Sequence, residues 1–184
     1  IATLMAMPVA KGLFHKAATM SGQQVTACGA LNGTLRAKAI LDALKLNNVQ
    51  EIRTMPFQKL LEVLNTKDPV LPFGGVNFAP ALDEKNLLRH PFYPDAPSQS
   101  NNIPMIIGNT HDETRAFLGG DETNFKVTWD ELPEKLIPNM RVDIKPEEVI
   151  AKYRQLYPTL SASDLLFKIT TASRSWRGAI IEAE

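Results

Sequence analysis

The sequence predicts an α/β fold with a few core strands and a large helical portion. Three observations lead there. The apolar run Pro104-Met105-Ile106-Ile107 stops at a Gly108-Asn109-Thr110 turn and then presents His111-Asp112-Glu113. A buried strand delivers an acid to the rim of a sheet in this way. Residues 16–20 read as a second short core strand, closed by Ser21-Gly22, and most of the remaining chain carries its apolar residues at helical spacing.

Residues 1–7 read as the tail of a buried helix, which Pro8 ends. Residues 11–15 form a turn ahead of strand 16–20. Leu35, Ala39, Leu41, Ala43, Leu44 and Leu46 fall mainly on one side of a helix, and Asn47-Asn48 breaks it. Val49 and Ile52 belong to a second helix. Pro56 opens a third, where its missing N–H costs nothing, and Phe57, Leu60, Leu61 and Leu64 make that helix's apolar stripe. Residues 67–103 are dense in Pro and Gly, which predicts loops and short extended pieces. Strand 104–108 and the turn to Glu113 follow.

The last third is helical. Thr128-Trp129-Asp130-Glu131 fits a capping box, Thr128 bonding forward and Glu131 bonding back. Pro146 opens a helix with Val149, Tyr153 and Leu156 on one face, and Tyr157-Pro158 ends it. Residues 161–164 begin a long helix that runs to residue 184. Trp129 and Trp176 each sit in a helical pattern and read as packing residues. No internal repeat or low-complexity tract is present.

Composition narrows the function classes. Twenty basic and twenty acidic side chains give a net charge of +0, so no basic stripe points to nucleic acid. The apolar runs are too short to span a bilayer. The lone cysteine, Cys28, excludes an intrachain disulfide and reads as a small, partly buried loop residue. No metal-ligand spacing occurs. The sequence names no compartment, with the cytoplasm slightly favoured.

The local sequence leaves two readings of Glu113 open: a catalytic acid at the lip of a sheet, or a solvated turn residue near Arg115. Ser21 lacks the setting of a nucleophile. The elbow G-x-S-x-G needs a glycine at position 19, where this chain has Thr19. His111 lies too close to Glu113 in the same turn for triad geometry. His15 and His90 occupy a turn and a pre-proline loop, and all three histidines read as non-catalytic. The chain opens on residues 1–7 without an initiator Met or a cap and closes on residues 178–184 in mid-helix, so it reads as an internal piece of a larger enzyme.

Three segments carry a family resemblance. One runs from Met5 through Pro8, Ala10-Lys11-Gly12-Leu13-Phe14-His15 and Met20-Ser21-Gly22 to Gln23. Another is Pro104 to Glu113, with Gly108 and Asp112-Glu113. The third is Phe78-Ala79-Pro80-Ala81-Leu82-Asp83. Together they resemble the type-B carboxylesterases, the family that includes the cholinesterases. The resemblance implies an α/β-hydrolase fold and hydrolysis of a carboxylic ester through a Ser-Glu-His triad, with no metal and no dissociable cofactor. It makes Glu113 the acidic member and places the serine a handful of residues before Ile1. It sets Ser21 at the end of the neighbouring strand, close enough to hydrogen-bond into the network of Glu113; the plainer reading is a strand-ending turn. Phe117 matches a substrate-lining position, with core packing as its alternative. Thr114 and Glu84 each stand where glycine is usual, and Glu84 predicts an altered turn after Asp83.

On this reading residues 1–184 are a fragment of one α/β-hydrolase catalytic domain. Residues 1–30 and 103–118 form its sheet core, and residues 31–102 and 119–184 are mainly helices and loops. The fragment is expected to be inactive alone, its parent to take a small-molecule ester and to bind neither nucleic acid nor membrane. Exposed sheet edges would invite self-association. The competing expectation is a catalytically dead cholinesterase-like binding or adhesion protein.

Overall fold

The computed structural model describes residues 1–22, 24–70, 78–140 and 144–184. Pro72, Gly74 and Gly75, part of the expected loop, lie outside the described residues. Strand β1 (Ala17–Met20) and strand β2 (Met105–Gly108) pair in parallel, with Ala17 opposite Met105 and Met20 opposite Gly108. Both strands fall where the apolar runs predict them. Side chains alternate across a sheet, so Ala17, Thr19, Met105 and Ile107 share one face, and Ala18, Met20 and Ile106 share the other. The second face is bare: Met20 is 83% exposed and Ile106 75%.

Helix α1 (Ala2–Ala6) covers the first face. Its buried Ala2 and Met5 pack with Phe92, against Ala17, Met105 and Ile181. Helix α2 (Ala30–Leu44) and helix α3 (Phe57–Glu62) make a small cluster centred on Ile40 and Val63, joined by Leu44 and Ile52. Ile40, rather than the expected Leu35 and Ala43, is the residue of α2 that is buried. The predicted α3 stripe is also displaced. Phe57, Leu61 and Leu64 lie exposed, because the helix stops at Glu62 and a 3-10 turn (Val63–Asn65) brings Val63 inward. The segment carrying Val49 and Ile52 is a 3-10 helix (Val49–Thr54) with a capping box between Asn48 and Glu51.

Glu84 adopts φ 56°, a left-handed conformation that glycine takes at less cost. The Asp83 carboxylate holds that turn by accepting the N–H groups of Lys85, Asn86 and Leu87.

The larger core is helical. Helices α5 (Leu132–Leu136), α6 (Pro146–Leu156) and α7 (Ala162–Thr171) bury Leu132, Leu136, Met140, Ile150, Leu165, Leu166 and Ile169 together. Ser161 caps α7 by accepting the Asp164 N–H. The expected box at Thr128 forms only its backward half. The Glu131 carboxylate accepts both the Thr128 N–H and the Thr128 hydroxyl, and the helix begins at Leu132. The long C-terminal helix is continuous but not uniform. After α7 it widens into a π turn (Ala172–Trp176) and resumes as α8 (Arg177–Ala183), which lies beside β2.

Glu182 on α8 is 7% exposed and accepts a hydrogen bond from Thr19 on β1, while its other carboxylate oxygen is buried with no hydrogen-bond partner among the described residues. Burial pushes its carboxyl above the usual value of 4.5, against the opposing Thr19 bond. The unfolded chain therefore ionises at lower pH than the folded one, and ionisation costs folding free energy above pH 4.5. Glu182→Gln is expected to raise stability at pH 7 by about 1 kcal/mol, the order of one unsatisfied buried polar group. That gain should vanish below pH 4.5, where Glu182 is protonated in both states. Urea unfolding of the two forms at pH 4 and pH 7 checks this.

Candidate active site

The two strands end side by side and build the site between their C-terminal ends. Beyond Met20 the ladder continues by one bond, from Ser21 N–H to Gly108 O at 2.8 Å. Ser21 then takes φ 56°. A residue with a Cβ is disfavoured there, and the left-handed turn sends the Ser21 hydroxyl across to the β2 side. It accepts the Thr110 N–H at 2.9 Å and lies near enough to the Glu113 carboxylate to favour its ionised form. A glycine would relieve the backbone but lose both contacts.

Glu113 is not a free turn residue. It opens helix α4 (Glu113–Leu118), a short element that the local sequence did not announce. Its carboxylate is half-buried and accepts a hydrogen bond from the Thr110 hydroxyl. That bond, with smaller contributions from the Ser21 hydroxyl and the positive charge of Arg174, holds the carboxyl below the usual carboxylate range despite partial burial. A carboxylate has about four lone-pair sites, and two hydroxyls leave room for an N–H donor from outside. Chemically, the arrangement fixes an ionised acid in one orientation and leaves it able to hold a cation or an imidazole N–H.

Further contacts brace the platform. Thr114, beside Glu113, is buried against α7. Its N–H bonds to Thr171 Oγ1 at 3.1 Å, its hydroxyl bonds to Phe167 O at 2.9 Å, and it lies 2.7 Å from the Thr170 hydroxyl. Trp176 donates its indole N–H to Thr110 O at 3.2 Å, and Ser175 donates to Ser21 O at 3.4 Å. Phe117 follows Glu113 by one helical turn on the same face. Its ring is 59% exposed, with the Arg174 guanidinium 4.2 Å from the centroid.

The structure thus brings Glu113 and Ser21 together and sets Phe117 beside them. His111 turns away, toward Asp112 at 3.1 Å and edge-on to Trp176. His90 accepts the Ala27 N–H in a distant loop, and His15 is exposed. Cys28 lies in another loop, where its sulfur receives a hydrogen bond from Arg36. The sequence reading missed Thr110, Thr171, Arg174, Ser175 and Trp176. One signal was available: Thr170-Thr171 follows the apolar Leu165, Leu166, Phe167 and Ile169 in one helix, and two hydroxyls among those residues ask for a polar partner. Trp176 is more than the packing residue expected, since its N–H reaches the site. Among the described residues, no group of three or more His, Cys, Asp or Glu side chains could hold a metal ion, and no helix is long and apolar enough to cross a membrane.

Comparison with known proteins gives a consistent family. The model of the carboxylesterase family matches residues 1–171. The para-nitrobenzyl esterase of Bacillus subtilis (strain 168) is 31% identical over 191 residues, covering 100% of this chain and 36% of that protein. A carboxylesterase crystal structure from Geobacillus stearothermophilus superposes with a TM-score of 0.72 at 25% identity, covering 100% of this chain and 38% of that one. A PNB esterase structure gives a TM-score of 0.65 at 27% identity over the same shares, 100% and 38%. The chain spans little more than a third of the length of these relatives. The two-stranded sheet and its helices correspond to part of an α/β-hydrolase fold.

Proposed function

The chain belongs to the carboxylesterase family, and from that premise we propose that the protein carrying it hydrolyses carboxylic esters, with Glu113 as the acid of a Ser-Glu-His triad. The observation that supports this most directly is the Glu113 carboxylate itself. It is kept ionised by Thr110 and Ser21 at the end of β2, with lone pairs to spare. A triad acid needs those properties. It holds the imidazole in the right tautomer and stabilises the imidazolium while a serine attacks the ester carbonyl. The attack forms an acyl-enzyme and expels the alcohol; water then releases the acid.

In this reading the nucleophile and the histidine lie outside the 184 residues, which contain no G-x-S-x-G elbow. Ser21 is a donor to Glu113, and Phe117 borders the ester. The first prediction follows from that division of labour. Purified residues 1–184 should give no burst of p-nitrophenolate from a p-nitrophenyl ester and no labelling by an organophosphonate. Stoichiometric labelling would overturn it. The competing assignment, a triad-deficient binding protein, predicts that the full-length protein also resists labelling.

A further inference from the structure

We propose that Thr171 and Trp176 are positioning residues for Glu113, and that the π turn between them sets both on one side of the long helix; the inference rests on the triad role of Glu113. Glu113 sits in a segment held at its two ends. Thr110, three residues before it, has its carbonyl bonded by the Trp176 indole. Thr114, just after it, has its N–H bonded by Thr171. The anchors of one short segment thus come from residues five apart on a single helix.

A regular α-helix could not supply both. At 3.6 residues per turn, positions 171 and 176 would point ~140° apart. A π turn closes with a bond five residues back, so the fifth residue stands nearly above the first. That bond is present: Arg177 N–H reaches Ala172 O. The widened turn lets Thr171 reach α4 while Trp176 reaches the loop ahead of it. Ser175, in the same turn, donates to the Ser21 carbonyl. One helical turn therefore touches each of the three pieces that surround the Glu113 carboxylate.

The local sequence around Glu113 does not supply these anchors. Asp112 occupies the capping position of α4 but makes no side-chain cap; its carboxylate meets His111 and Arg115 instead. The Thr114 N–H is among the donors that a helix start leaves unmatched, and it is buried. Thr171 supplies the missing acceptor from another helix. A glycine at position 114 would leave the buried Thr170 and Thr171 hydroxyls facing no hydroxyl partner on α4. The three threonines act as one device.

The test uses the full-length protein and a p-nitrophenyl ester. Thr171→Val and Trp176→Phe are each expected to lower kcat about 5- to 30-fold with KM within about twofold, because the lost bonds orient the acid rather than bind the ester. Thr171→Ser, which keeps the hydroxyl, should restore kcat to within about threefold. The deciding measurement is a double-mutant cycle. With Glu113→Gln already present, adding Thr171→Val should cost less than about twofold more. An equal loss in both backgrounds, or full kcat in Thr171→Val, overturns the proposal while leaving the triad role intact. Full activity in Glu113→Gln overturns the triad role and this inference with it. Thermal melts on the same samples identify a variant that has merely unfolded, and Thr171→Ser and Trp176→Phe then carry the comparison.

Discussion

Glu113→Gln in the full-length protein is expected to lower kcat about a thousand- to ten-thousand-fold, the scale on which a triad loses rate when its acid can no longer fix the imidazole tautomer. The amide keeps the size of the side chain and can still accept from Thr110 and Ser21. What it loses is the charge. KM should move little, since in the proposed triad the carboxylate meets the histidine and not the ester. Steady-state kinetics on a soluble ester checks both numbers. The pH dependence has a definite sign. The contacts of Glu113 hold its carboxyl below the usual range, so it stays ionised below the pH at which an ordinary glutamate protonates, and the stability it lends is lost as pH falls through that depressed value. The acid limb of kcat/KM should therefore report the imidazole. A wild-type level of turnover in Glu113→Gln would overturn the triad role of Glu113.

Phe167→Ala should produce the largest loss of stability, about 3–5 kcal/mol. Phe167 is fully buried on α7. Its ring packs 5.1 Å from Phe125 and lies beneath the Arg115 guanidinium at 4.5 Å. Arg115 is in turn paired with Asp164. Truncation would open a cavity and strip a cation of its ring at once. Phe167→Leu keeps most of the volume and should cost less than half as much. The shift in the urea midpoint measures both. Because Thr114 bonds to the Phe167 carbonyl, activity in the alanine variant should fall further than its folded fraction does.

The strands were legible because each apolar run ends on a residue that stops it: Gly108 for one, Ser21-Gly22 for the other. Their parallel pairing was not, since nothing local specifies register between segments so far apart. The Glu113–Ser21 contact came from family likeness; spacing alone left Glu113 undecided. Helix α4 escaped notice because six residues are too few to show a period. The outward stripe on α3 has the opposite cause. Phe57, Leu61 and Leu64 have a clear helical period, but a period says which residues share a face and not what lies against it. Trp176 and Thr171 could not be assigned to the site from sequence because the π turn changes which positions align, and the expectation of a regular helix misplaces them.

The surroundings of the carboxylate are drawn from remote parts of the chain. Ser21 and Thr110 are 89 residues apart in sequence, Ser175 and Ser21 are 154, and Thr114 and Thr171 are 57. Such contacts must first overcome the entropy of closing long loops. The acid's setting is therefore expected to assemble late, after the local helices have packed, and to open early under denaturant. Substitutions there should then speed unfolding more than they slow folding.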